Sequence, residues 1–299
     1  MIPLFDLHCD TLSTAFDGGF SLSSSPLHIS FDKCKGFCPY VQVMAIWTSP
    51  TLTDSQGFQK YQSIVNYAIN QGISFTKSTS LRDFSLILSI EDLRIIENDL
   101  SRLDILYQDG VRFITPVWKD ESIIGGAWNT MSGLTDFGKK ALKYAISLGI
   151  VPDVSHASKK TFDDIIQLCI EAKASPIATH SNSYSVCPHS RNLTDEQFKL
   201  LKALGAVVGI SLAPEHLSNK SLATAHDILL HIDKYLSLDG EDTVCLGCDF
   251  DGISSLPYGI SDISSLEKLY TQLCKAYGEK ISQKIFFHNA YNYYLKQFA

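Results

Sequence analysis

The stretch Ile2-Pro3-Leu4-Phe5-Asp6-Leu7-His8-Cys9-Asp10 sets the frame for the rest of the chain. A short apolar run breaks into His-x-Asp, with one residue between an imidazole and a carboxylate. On a β-strand, side chains at i and i+2 point the same way, so His8 and Asp10 can grip one object. A neutral imidazole nitrogen beside a carboxylate oxygen is borderline ligand chemistry, well suited to zinc. Short His-x-Asp strings also arise by chance, so the pair gains weight only if matching groups recur along the chain.

They do recur, at the ends of further apolar runs. Strands are expected near Pro3–Cys9, Val41–Trp47, Leu86–Glu91, Arg112–Pro116, Val151–Ser155, Pro176–Thr179, Ala206–Leu212 and Thr243–Cys248. Helical patterns lie between them: Phe58–Gln71, Gly138–Leu148, Lys159–Glu171, Asp195–Leu204 and Ala223–Leu236. Ser158 and Thr194 stand as caps before two of these. Strand–helix alternation with continuously apolar strands implies a parallel sheet covered on both faces. Eight such units favour a (β/α)8 TIM-type barrel over an open doubly wound sheet. The Ser/Gly-rich segment Asp17–Gly36 reads as a loop, and a last helix, Ser282–Phe298, is expected to pack on the outside. With no linker or internal repeat, 1–299 reads as a single domain.

Composition narrows the function. An apolar fraction of 45% is ample for one sizeable core, and a net charge of −7 without a Lys/Arg cluster argues against nucleic acid. No uninterrupted apolar run reaches membrane-spanning length. The metal pair begins at residue 8, so no leader is expected before it, and a cytoplasmic location is the expectation. Eight cysteines are too sparse for a disulfide scaffold. Cys34-x3-Cys38 lacks a second half, and Cys245-x2-Cys248 lies in an apolar strand, so reduced, buried thiols are expected at both.

In a barrel, function sits at the C-terminal ends of the strands. His8 and Asp10 end the first expected strand and Glu91 the third. His156 and His180 end the fifth and sixth, and Asp249 closes the last. Each has a plainer reading: a hydrogen-bonded structural histidine, a helix cap at Glu91, a turn at Asp249-Phe250-Asp251-Gly252. Together, however, unpaired charges at one barrel mouth would repel, and a divalent cation offsets that repulsion. Three histidines and two carboxylates exceed the needs of one catalytic zinc. A bridging carboxylate can hold two metals, and Glu91 is central among the candidates. His8, Asp10 and Glu91 would then hold one ion, and Glu91, His156 and His180 the other.

These residues also fall in ordered motifs. His8-Cys9-Asp10, Asp153-Val154-Ser155-His156, Thr179-His180-Ser181-Asn182, Arg191-Asn192-Leu193-Thr194-Asp195 and Asp249-Phe250-Asp251-Gly252 together resemble the membrane (renal) dipeptidases and their bacterial relatives. The resemblance runs through most of the chain. It implies a (β/α)8 barrel with two zinc ions (or other divalent cations) that hydrolyses dipeptides and tolerates a D-residue at their C-terminal position. It implies the same five ligands, Asp249 as the residue that handles protons, and Arg191 as the anchor of the substrate's free carboxylate. Asn192, beside it, and Trp118 are further expected substrate contacts. A homodimer is compatible with the resemblance.

The chain departs from the mammalian pattern at two places. Asp92-Leu93-Arg94 follows the bridging glutamate where those enzymes continue Gly-Gly-His. Trp118 stands where they carry a histidine that contacts the substrate carbonyl, which leaves carbonyl polarisation and substrate range open, with Lys119 or the metals as substitutes. The expected mechanism is attack by a two-zinc-activated hydroxide, with Asp249 passing a proton to the leaving amine. Two alternatives stand beside it. One is an amidohydrolase acting on another small amide, cyclic amide or lactam, although such enzymes resemble one another in starting with His-x-His. The other is a metal-binding barrel that has lost catalysis.

Overall fold

The structure, a computed structural model, describes residues 1–299. Its strands are β1 Ile2–Cys9, β2 Phe37–Trp47, β3 Phe84–Glu91, β4 Val111–Thr115, β5 Val151–Pro152, β6 Val208–Ile210 and β7 Val244–Leu246. They form one parallel, curled seven-stranded sheet in the order β5-β4-β3-β2-β1-β7-β6. The (β/α)8 barrel expected from the sequence is therefore not seen as eight regular strands. The segment expected as a strand at Pro176–Thr179 makes a single bridge to each side, Asp153 with Ile177 and Ala178 with Val208. Four residues squeezed between two short strands leave room for little more than one backbone pairing on either flank.

Capping chemistry fixes the helices. Thr53 and Thr194 form capping boxes with Gln56 and Gln197, starting helices Asp54–Asn70 and Asp195–Ala203. Thr135 and Ser158 accept from the third backbone N–H of Asp136–Ser147 and Lys159–Ala172. A helix at Thr11–Gly18 precedes the expected loop, and another at Ser101–Asp109 was not anticipated. No helix is long and apolar enough to cross a membrane.

The strands bury both faces, as parallel strands must. A core of 67 residues fills the space between sheet and helices. A second cluster of 14 gathers inside the curl: Phe5 and Leu7 of β1, Val41 and Val43 of β2, Ile87, Phe113, Val151, Ile177, Val207 and Cys245. The last helix joins this inner cluster through Phe287, Ala290, Tyr293 and Tyr294, so it does not pack on the outside. It lies across the N-terminal ends of the strands. Tyr293 donates to the carbonyls of Ser175 and Pro176, Tyr294 to that of Ser78, and Asn289 to those of Glu241 and Val244. An apolar floor of this size has to be covered, and the aromatic stripe of the last helix covers it.

One irregularity aims the site. Asp6 and Cys9 of β1 pair with Gln42 and Met44 of β2, so three steps along one strand oppose two along the other. Such a bulge turns the following side chains to the opposite face. Phe5 and Leu7 therefore face the inner cluster, and after the bulge His8 and Asp10 face the same interior. Asp6, fully buried beside the bulge, accepts from the backbone N–H of Cys248 at 2.8 Å and ties β1 to the end of β7.

Candidate active site

The five expected ligands and Asp249 meet at the C-terminal ends of the strands. His8 Nε2 lies 3.3 Å from Asp10 Oδ2, 3.5 Å from Glu91 Oε2 and 3.8 Å from Asp249 Oδ1. His156 Nε2 lies 2.7 Å from Glu91 Oε1, and His180 Nε2 lies 3.7 Å from the same oxygen. The two oxygens of Glu91 thus face different histidines. Two sets, His8–Glu91–His180 and His8–Asp10–Asp249, each bring three donor atoms within 4.8 Å of one another. All of these residues are buried.

Hydrogen-bond bookkeeping fixes the imidazoles. His156 Nδ1 sits 2.8 Å from the carbonyl of Trp118; a carbonyl only accepts, so Nδ1 carries the proton. His180 Nδ1 sits 2.8 Å from Thr179 Oγ1. Burial and the Arg191 charge keep His156 below the usual histidine range, and burial with the charge of His8 puts His180 well below it. A neutral His156 ring protonated at Nδ1 leaves a bare Nε2 lone pair, which lies 2.9 Å from His180 Nε2, both facing a carboxylate oxygen. His8 Nε2 and Asp10 Oδ1 are buried without a hydrogen-bond partner. Against the pull of burial, Glu91 and Asp10 hold His8 well above the usual histidine range, so this cluster of donor atoms draws in positive charge, and the set fits divalent cations.

The carboxylates tell the same story. Burial works against the charge of Glu91, but His156 and His8 outweigh it and hold the group well below the ordinary carboxylate range. Burial, with the charge of Glu91, pushes Asp10 up to about 6. Burial also pushes Asp249 well above its usual value, against the opposing pull of His8 and Arg191, with the charges of Asp10 and Glu91 adding to the rise. A buried carboxyl that holds its proton this readily suits proton transfer.

Local backbone keeps the groups this close. His156 and Asp249 adopt left-handed φ values of 66° and 63°, a conformation that costs energy outside glycine and is found where structure over-determines it. Gly252 allows the final approach: a Cβ there would lie 2.2 Å from Asp10 Oδ2 and 2.5 Å from Asp249 Oδ1. Asp251 fastens the turn by accepting from Thr11 Oγ1 at 2.6 Å and from the backbone N–H of His28 at 2.7 Å.

A cleft of 340 Å³ opens over these groups and is also lined by Arg191, Trp118, Lys119, Trp128, Glu215 and His216. Arg191 is buried, and its Nη2 has no partner. Burial pulls its pKa down to about 10, while Asp249 and Glu91 hold it up. Asn192 lies next to it but spends its amide Nδ2 on the carbonyls of Cys187 and His216, bracing the loop, with Oδ1 left unpaired. Trp118 is half-buried, its ring edge-on to Trp47 at 5.0 Å and 6.4 Å from that of His156, and its carbonyl faces His156 Nδ1. Sequence reasoning gave no role to Trp128, Glu215, His216, Thr179 or Asp153. Asp153 carried a signal nonetheless, being a carboxylate inside an otherwise apolar strand.

Residues 1–292 match the family model described as membrane dipeptidase, peptidase family M19. An uncharacterized protein of the pqqA 5′ region of Klebsiella pneumoniae is 33% identical over 221 residues, covering 69% of this chain and 79% of that protein. Dipeptidase 3 of Macaca fascicularis is 27% identical over 216 residues; the match covers 69% of this chain but 43% of that longer protein. Among solved structures, a metallopeptidase from Rhodobacter sphaeroides, liganded with a phosphinate mimic of the dipeptide L-Ala-D-Ala, superposes with a TM-score of 0.90 at 25% identity, covering 100% of this chain and 99% of that one. With a family match from the first residue to near the last, over a site built from the same motifs, the chain belongs to the membrane dipeptidase family, peptidase family M19.

Proposed function

We propose that this chain is a dipeptidase that uses two divalent cations, zinc by the chemistry of its ligands, to cleave short substrates including those with a C-terminal D-residue. The observation that carries the reading is the convergence of His8, Asp10, Glu91, His156 and His180 under a cleft that also holds Asp249 and a buried arginine with an unpaired nitrogen. The dipeptide mimic held by the Rhodobacter relative supports the same substrate class. As part of the proposal, Ile177 and Ala178 fill the eighth position of a closed barrel within one domain, which their bridges to both flanks favour.

In this reading, His8, Asp10 and Glu91 would hold one cation, and Glu91, His156 and His180 the other. When bound, the cations supply Lewis acidity, which lowers the pKa of a water and polarises the scissile carbonyl. Asp249 takes the proton from the attacking water and returns it to the leaving amine, a task for which its raised pKa fits it. Arg191 grips the terminal carboxylate with its planar fork. Because it is buried, it accepts a chain end and not a passing backbone, which limits substrates to short peptides. Trp118 shapes the wall opposite, leaving the carbonyl without a histidine partner there.

The test is hydrolysis of a panel of L,L and L,D dipeptides by zinc-reconstituted protein beside a chelator-treated control. Chelator-sensitive cleavage is expected. Two bound metals per chain with no dipeptide cleaved would keep the site and move the substrate to another small amide.

A further inference from the structure

We propose that Thr179, oriented by Asp153, is a positioning residue that locks His180 in the Nδ1–H tautomer, so that its bare Nε2 faces the cation site. The inference rests on the reading of His180 as a metal ligand given above, and it concerns two residues with no role so far.

Asp153 is completely buried at the end of β5. One of its oxygens accepts from the backbone N–H of Ser155 at 2.9 Å and of Thr179 at 3.0 Å. The other accepts from Thr115 Oγ1 at 2.8 Å and also from Thr179 Oγ1. One carboxylate thus collects donors from the end of β4, from its own strand end and from the 176–179 segment. With both oxygens of Asp153 accepting, the single proton of Thr179 points at Asp153.

Thr179 Oγ1 has then only lone pairs for its other neighbour. That neighbour is His180 Nδ1 at 2.8 Å, which must supply the proton. The nearest competitor, Ser155 Oγ, is more distant at 3.4 Å and already accepts from the His180 backbone N–H. The chain Asp153–Thr179–His180 therefore runs in one direction, and its far end is an unprotonated Nε2 beside Glu91 and His156. A histidine ligand commonly leans on a carboxylate or carbonyl; here a threonine relays the carboxylate's demand. His156 reaches the same state through the Trp118 carbonyl, so the two histidines on the Glu91 Oε1 side are fixed by different means.

Three variants test this: Thr179→Val, which keeps the shape and removes the hydroxyl, Thr179→Ser, which restores it, and His180→Gln, which assigns the histidine signals. The tautomer is read from 15N shifts of labelled histidine in metal-free protein. Zinc affinity is read separately by competition with a chromogenic chelator. We expect Nδ1–H at His180 in the parent and in Thr179→Ser, loss of that signature in Thr179→Val, and zinc binding weakened by ~10–100-fold in Thr179→Val alone. Parental affinity and an unchanged His180 signature in folded Thr179→Val would overturn the proposal, as would an Nε2–H signature in the parent. Should Thr179→Val fail to fold, an Nε2–H signature in the parent or in Thr179→Ser still sinks it. Were the expected tautomers found in a parent that binds no zinc, the positioning role would stand and the metal reading would fall.

Discussion

The two ends of the curled sheet are built from the same strands and solve opposite problems. At the floor, Phe5, Phe113 and Ile177 close against Phe287 and Tyr294, every group satisfied by packing or by a hydroxyl on a backbone carbonyl. At the mouth, Asp10, Glu91 and Asp249 crowd around His8, with unpaired atoms on His8, Asp10 and Arg191. Both ends are equally buried. The floor is complete as a structure, whereas the mouth is complete only with charge brought from outside. Burial that stabilises apolar side chains penalises like charges, so the strand ends that hold the site together are held by the rest of the fold.

Substitutions at the two ends should therefore separate cleanly. The largest effect is expected for Glu91→Gln: metal content, measured by elemental analysis, and dipeptide turnover should fall together, turnover by at least ~100-fold. A zinc-loaded Glu91→Gln protein with full turnover would break the bridge assignment. For Asp249→Asn, kcat should drop by roughly 10²–10⁴-fold while metal remains bound, because only the proton carrier is lost. At the floor, Phe287→Ala should cost about 3–5 kcal/mol in denaturant unfolding, with kcat per folded molecule unchanged. Equal loss of kcat and stability there would show that the two ends are coupled. Arg191→Ala should forfeit about 2 kcal/mol of a charged hydrogen bond, raising KM by roughly 30-fold and sparing metal content. The smallest change is Tyr294→Phe, which removes the bond to the Ser78 carbonyl and should cost about 1 kcal/mol, read as a shift in the urea midpoint.

Legibility differed along the chain for physical reasons. His8 and Asp10 were readable because the i, i+2 rule is local. Ser158 and Thr194 were readable as caps because a cap bonds within its own first turn. The meeting of Glu91 with His156 and His180 was readable only as a convergence at strand ends, since parallel strands carry their C-terminal residues to one side. Asn192 was expected to contact substrate, and the sequence did not show that its amide is spent on the carbonyls of Cys187 and His216.

By itself, then, the sequence determined the alternation of strand and helix, the helix starts at Ser158 and Thr194 and the order of donor residues along the chain, all properties of short spacing. The tertiary structure alone decided the rest. The β1 bulge exists because β1 must register with β2; the last helix became a floor because curling the sheet left an apolar end uncovered; and the 176–179 segment pairs by one bridge on each flank because of the strands beside it. The relay from Asp153 through Thr179 to His180 likewise needs β4, β5 and that segment side by side. Contacts between residues far apart in the chain depend on how the sheet curls, and no local periodicity encodes that curl.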